Sequence, residues 1–556
     1  MGSLAILVAA FAAFVLAYLV YGRWLAQKWG VNPKAPTPAH TMTDGVDYVP
    51  AKRSVVFGHQ FASIAGAGPI NGPIIAAMFG WLPVLLWIVF GGIFFGAVQD
   101  FAALYASVKN KGKSIGYLIE LHIGKTGKTL FLLFVWLFSI LVIAAFADIV
   151  AVTFDGFAAD GAPVKANASV ATTSMLFIAA AVLLGRYLRL RTPNGYTAAA
   201  VAIVLLAVCI ALGLRFPLYI GKEPWLYIVF VYIFIASVAP VWALLQPRDY
   251  LNSFLLVFMI AAAFLGVVAA NPEMRLPAFT GFTVNGMHLF PILFVTVACG
   301  AVSGFHALIS SGTSSKQIDN EQDILPISFG GMLLECLLAV IALIAAGSLA
   351  VDGALPRGSP PVVFATAVAN FLVGLGLPHE TIYTLITLAV SAFALTSLDS
   401  VARVGRLAFQ ELFTGAGETG EAKPGAAAAF LSNRYAATFF TLIMGYLLAR
   451  RGYADIWPLF GSANQLLAAL AMIACAVFLK RTRREGWMLY APMVCMLGVT
   501  FVALAETIWK LAGKMGSEGG FDIASDGLQL VFALLLLGLG VLVAAAGMKR
   551  LKNVPS

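Results

Sequence analysis

The chain has 556 residues, of which 61% are hydrophobic and only 11% charged, and its formal net charge is +9. Water-soluble domains carry charged residues at roughly 25%, and here the deficit recurs between short polar loops along nearly the whole length, which excludes a soluble enzyme on one anchor, a disordered chain and a collagen-like repeat. The Lys and Arg sit in clusters between apolar runs, where positive charge sets orientation in a bilayer, so membrane lipid is the implied surroundings and no nucleic-acid partner is implied.

A helix needs about 20 apolar residues to cross the hydrocarbon. That rule predicts spans near 3–22, 55–79, 82–107, 128–154, 171–189, 195–215, 224–246, 249–270, 288–311, 326–350, 381–402, 431–450, 456–479, 487–511 and 528–548, fifteen in all. The first lacks a basic n-region and runs directly into Arg23, so it is read as a retained span and not as a cleaved signal. Arg23, Lys28, Lys34, Lys52 and Arg53 place the first connection inside, with the N-terminus outside and the C-terminus inside. Segment 360–376 is short and begins at Pro360-Pro361; a crossing there would put Lys480, Arg481, Arg483 and Arg484 outside, so it is read as lying on the outer surface. Arg450 and Arg451 then fall outside, against the rule. Cys209, Cys299, Cys336, Cys475 and Cys495 lie in apolar stretches with no CxxC spacing, and are read as buried thiols.

The second span carries Gly66, Gly68, Pro69, Gly72 and Pro73 at its middle and cannot form a continuous helix. Opened backbone at membrane depth is permissible only where it faces protein, water or a ligand. Either a substrate or ion site or a kink satisfied by neighbours fits. Five spans later Ser237, Pro240 and Gln246-Pro247 mark a second interruption. An odd offset means the two helices cross in opposite directions, as inverted repeats of five helices require. The predicted fold class is therefore an all-α polytopic membrane protein with a leucine-transporter-like 5+5 inverted-repeat core and accessory helices. The half-helix after Pro69 would present free amides and a positive dipole end to the midplane, where an anion belongs.

Candidate substrate contacts are Ser63, Gly66, Gly68, Asn71 and Gly72 at the first break and Ser237 and Gln246 at the second. Intramembrane ionisable groups usually face a cavity or a partner. His59 has a side chain suited to proton carriage. Ser303, His306, Ser310 and Thr313 recur along one helical face. With Ser311 and the carbonyls of Ala62 and Ala65, they are candidate ion-coupling residues, since hard cations prefer oxygen ligands; close packing of small hydroxyl residues is the plainer alternative. Asp100, Asp148, Glu335 and Asp399 are further candidates. Asp399 is the foremost, unless it merely pairs with Arg403 one turn on. His59 and His306 are also the only histidines considered for a transition metal or haem, and no HxxxH or HExxH spacing supports either.

The strings VVFGHQFASIAGAGPINGP, PVWALLQPRDYLNSF, HALISSGTSSKQI and FALTSLDS, in that order between about Tyr48 and Arg406, resemble the carbon starvation protein family. The resemblance implies a bacterial inner-membrane transporter, not an enzyme, with peptides and pyruvate as the substrates associated with the family during nutrient limitation. The expected organisation is an accessory span and loop at 1–54, a first repeat at 55–223, a second at 224–406 with the surface segment 360–376, and accessory helices at 407–556. The expected function is ion-coupled import of peptides or small carboxylates by alternating access, with sodium or a proton as the coupling ion. A channel, or a metal- or haem-containing membrane redox protein, is the alternative.

Overall fold

The computed structural model describes residues 2–44, 48–158, 160–191, 194–239, 244–414, 426–515, 521–522 and 526–553; the side chains of residues 245, 246 and 414 are not among those described. Pro240 lies outside the described residues, as does the side chain of Gln246. The helices that matter are α1 (Ser3–Lys28), α2 (Arg53–Ile64), α3 (Gly68–Phe79), α4 (Trp81–Lys109), α5 (Ile115–His122) and α6 (Lys125–Phe154). They continue as α7 (Lys165–Arg191), α8 (Gly195–Arg215), α9 (Lys222–Val238), α10 (Leu245–Ala270), α11 (Leu289–Thr296), α12 (Gly304–Gly312) and α13 (Glu321–Ser348). The rest are α14 (Pro360–Val373), α15 (His379–Thr414), α16 (Arg434–Ala449), α17 (Tyr453–Arg481), α18 (Trp487–Met515) and α19 (Asp526–Asn553). Among the described residues, one hairpin pairs Thr283–Val284 with Met287–His288.

Among the described residues, eleven helices are long and apolar enough to cross a membrane, and twelve if the bent pair α2 and α3 is one span. α9, the pair α11 and α12, and α16 stand where the remaining expected spans fall, but each is shorter or interrupted. The chain is a multi-pass helical membrane protein.

Two helices are broken near their middles. Between α2 and α3 the axis turns by 43°; the chain leaves the helix at Ala65 (ψ 51°), and Pro69, at the start of α3, supplies no amide to the previous turn. Between α11 and α12 the helix is open from Val297 to Ser303. The second interrupted helix that faces the first is thus 289–312. At the expected one, α9 ends at Val238 and α10 begins at Leu245, and residues 240–243 between them lie outside the described residues.

Loops sort onto two faces. On one, Arg53 pairs with Asp323 at 2.5 Å, Lys109 with Glu321 at 2.5 Å, Lys28 with Glu485 at 3.2 Å, and Lys128 with Glu120 and Glu411 at 2.8 Å each. On the other, Lys222 pairs with Asp148 at 2.7 Å and Lys165 with Glu380 at 3.4 Å. Arg451 lies on this second face, paired with Asp526. That local acid gives the exceptional arginine a partner where the charge rule would not put it. α14 joins the second-face ends of α13 and α15 and packs against α10 and α15. Its 14 residues span only about 21 Å at 1.5 Å per residue, short of the roughly 30 Å hydrocarbon.

Candidate substrate cavity and buried polar clusters

A small cavity lies where the two breaks meet. The first break contributes Ile64, Gly66 and Gly68, and the second contributes Cys299 and Phe305. Phe138, Val142 and Phe146 come from α6, Ser397 and Val401 from α15, and Phe460 and Asn464 from α17. Close approach of the broken helices depends on glycine. A Cβ at Gly72 would stand 2.7 Å from the Thr296 carbonyl oxygen, one at Gly68 2.6 Å from the Cys299 side chain, and one at Gly66 2.5 Å from the Ser397 hydroxyl. The amides of Ala67 and Gly68 have no partner among the described residues, and they sit at the start of α3, the positive end of its dipole.

Of the candidate substrate residues, Gly66 and Gly68 line the cavity and Gly72 packs behind it. Ser63 instead donates back to the His59 carbonyl at 2.8 Å. Asn71 is fully buried, and its amide has no partner among the described residues. Ser237 is not brought to the cavity: its hydroxyl lies 3.4 Å from that of Thr438, and its carbonyl accepts from Arg406 at 2.6 Å.

The hydroxyls expected around a sodium ion are engaged elsewhere. Ser310 accepts from Gln60 Nε2 at 2.9 Å, Ser311 donates to the Ala307 carbonyl and accepts from the Ile115 amide, and Thr313 meets His59 Nε2 at 3.2 Å. The hydroxyl that abuts the first break, beyond Ala62 and Ala65, is Ser397 of α15. Asp399 does not pair with Arg403. It is held by Arg248 and by the Tyr232 hydroxyl at 2.7 Å, while Arg403 donates to the carbonyls of Ala236 and Ala239 at 3.0 and 2.9 Å. Packing from α10 reaches Asp399 before a neighbour on its own helix does. Asp148 pairs with Lys222 and accepts from the Tyr453 amide at 2.7 Å, a tie on the second face.

His306 lies between two acids. Its Nδ1 is 2.7 Å from Asp100 on α4 and its Nε2 is 3.3 Å from Glu335 on α13, and all three side chains are completely buried. Both ring nitrogens face carboxyl oxygens, and no group of three or more metal-ligating side chains occurs among the described residues. His122, on the surface helix α5, is pushed down to about 4 by burial and by the Arg481 guanidinium beside it, so it stays neutral at physiological pH.

Sequence reasoning missed Asn464, since α17 falls in the stretch 407–556 that was expected to be accessory. This helix is buried throughout its most apolar stretch, and Asn464 accepts from the Phe305 amide at 3.0 Å and donates to Ser303 at 3.1 Å, holding the opened end of α12. The available signal was Asn464-Gln465 in an otherwise apolar run.

Two interrupted helices enclosing a small cavity, beside helices long enough to cross a bilayer, define a polytopic membrane protein with a central cavity. Residues 2–360 and 350–503 match the family described as carbon starvation protein CstA, and the chain belongs to that family. A relative from Bacillus subtilis named peptide transporter CstA is 31% identical, over 98% of this chain and 96% of its own. Escherichia coli has a peptide transporter CstA at 32% identity, over 92% of this chain and 82% of its own, and a pyruvate/proton symporter BtsT at 31%, over 94% and 83%. A solved manganese transporter of Eremococcus coleocola, in complex with an aromatic bis-isothiourea substituted compound, superposes with a TM-score of 0.50 at 13% identity, covering 92% of this chain and 99% of that one. At that identity the likeness concerns the fold alone. These findings make the chain a member of a transporter family.

Proposed function

We propose that the protein is an ion-coupled secondary transporter of the bacterial inner membrane that imports a small carboxylate-bearing solute by alternating access at the cavity between the broken helices. The observation that carries this reading is the cavity itself, which is walled by both breaks and lies beside the start of α3, where the amides of Ala67 and Gly68 have no partner among the described residues. The lining includes no acidic side chain, so a peptide's ammonium group has no counter-charge there. A small acid such as pyruvate therefore fits best. A short peptide is the second reading, favoured by the names of several relatives.

The helix order supports a 5+5 inverted repeat in a leucine-transporter-like layout, with boundaries shifted from 55–223 and 224–406. The first repeat is α2 with α3, α4, α6, α9 and α10, with the hairpin α7 and α8 inserted. The second is α11 with α12, α13, α15, α16 and α17. Each begins with an interrupted helix, and each has a short helix, α5 or α14, between its second and third members. α6 and α15, the third members, pack along each other, and α5 and α14 lie on opposite faces, as inversion requires. Fifteen spans follow, with the lysine- and arginine-rich face inside. Sodium or a proton is the coupling ion, and neither haem nor a transition metal is invoked.

Competition tests the substrate class. Labelled pyruvate uptake into proteoliposomes should be inhibited by unlabelled pyruvate and far less by pyruvamide, which has the same shape without the charge. Equal inhibition by the amide would refute carboxylate capture, and strong inhibition by a dipeptide but not by pyruvate would favour the second reading.

A further inference from the structure

The cluster of Asp100, His306 and Glu335 is not part of the cavity wall, yet it shares a helix with it. Phe305 of α12 lines the cavity, and the next residue, His306, sits between the two acids. Three ionisable groups are wholly buried here, and among the described residues His306 is the only cationic partner of either carboxyl. With the imidazole charged and both carboxyls ionised, the set carries one uncompensated negative charge away from water, which is strongly unfavourable. One further proton makes it neutral.

Geometry distinguishes the two acids. Asp100 is hydrogen-bonded to His306 Nδ1. Glu335 has no hydrogen bond to either oxygen among the described residues, although His306 Nε2 lies 3.3 Å away. A carboxylate stripped of hydrogen bonds is poorly stabilised, whereas a carboxylic acid in the same place is not. The other groups facing the cluster do not compete for this role. Cys299 and Cys336 are the thiols that feel Glu335, Asn464 on α17 is neutral, and on α2 Gln60 and His59 meet α12 further along, at Ser310 and Thr313.

We propose that Asp100, His306 and Glu335 form the proton-carrying site of this transporter, one proton per cycle, with Glu335 the group that changes state. The proposal rests on the transporter reading above. A Glu335 carboxylate oxygen takes a proton from water admitted on one side and returns it to water on the other; no other bond is made or broken. The neutral set lets α12 pack between α4 and α13. Loss of the proton leaves a buried charge that drives α12 away from one of them, which moves the cavity wall through Phe305.

Two measurements on the purified full-length protein test this. Infrared difference spectra in liposomes, between acid and alkaline buffer and without substrate, read the carboxyl directly. Wild type should show a protonated-carboxyl band lost as pH rises; E335Q should lack it, and E335D should regain it at a shifted position. No such band in wild type, or an unchanged band in E335Q, overturns the proposal. In proteoliposomes, E335Q should lose accumulation of labelled pyruvate or labelled dialanine driven by a proton gradient, while exchange of labelled for unlabelled solute, which needs no net proton movement, continues. Proton-driven accumulation by E335Q, or accumulation by wild type driven by sodium alone, overturns the proposal. A wild type that shows the carboxyl band but moves neither solute overturns the transporter reading and leaves the proton site standing.

Discussion

Asp399 illustrates how a buried charge is read at the scale of single residues. Its completely buried carboxyl is held by Arg248, itself 1% exposed, and by Tyr232. Arg248 also donates to the Tyr232 hydroxyl at 2.6 Å, so three side chains from α9, α10 and α15 close one network. Removing one partner of a buried pair strands the other, at about 3 to 5 kcal/mol, whereas replacing both with apolar groups can be nearly neutral. Asp399→Ala is therefore expected to lower the unfolding midpoint in detergent sharply, and Arg248→Met combined with Asp399→Met to recover most of it. A single variant as stable as wild type would show that the pair is not the tie described. The sequence located Asp399 as a notable intramembrane acid. Its partner lay 151 residues away, and no spacing rule reaches that far.

The two broken helices belong together as elements, and they differ in how much of each was legible. Gly66, Gly68, Pro69, Gly72 and Pro73 announce the first break, because proline and glycine cannot sustain a helix interior. The second, around Val297 to Ser303, has the sequence VACGAVS, which is apolar and free of proline, so by hydropathy it reads as an unbroken span. Ser237 looked stronger, and it lies at the end of α9, while Pro240 lies outside the described residues. The glycines were expected to admit a ligand to open backbone; Gly68 and Gly72 also admit the partner helix. Gly72→Ala meets the Thr296 carbonyl, which belongs to the backbone and cannot turn aside, whereas Gly66→Ala meets the Ser397 hydroxyl, which can rotate. Overpacking costs about 1 to 3 kcal/mol. Gly72→Ala should thus reduce thermal stability by that order and Gly66→Ala by much less, while Gly66→Ala, at the cavity wall, should weaken uptake. The reverse order of stabilities would contradict the close contact of α3 with α11.

For the whole molecule, the charge pattern gave an alternation of loops that agrees with the way ion pairs gather on two faces. The grouping of helices was harder to read. On the grouping proposed above, the hairpin α7 and α8 would interrupt the first repeat, so that counting five spans from the first break arrives at α9 and not at α11, and α16 and α17 would join the core. Helix α14 carries the sharpest topological consequence. Single cysteines at Gly358 and Gly374, on a background lacking the five native cysteines, should both react with an impermeant reagent from outside; reaction from opposite sides would make α14 a span and reverse everything after it. The central claim concerns what the assembled molecule does. The direct test is uptake of labelled pyruvate and labelled dialanine into proteoliposomes under separately imposed proton and sodium gradients. The account predicts accumulation above the external concentration that collapses when the coupling gradient is removed. Equilibration to the external concentration regardless of gradient would contradict it and describe a channel.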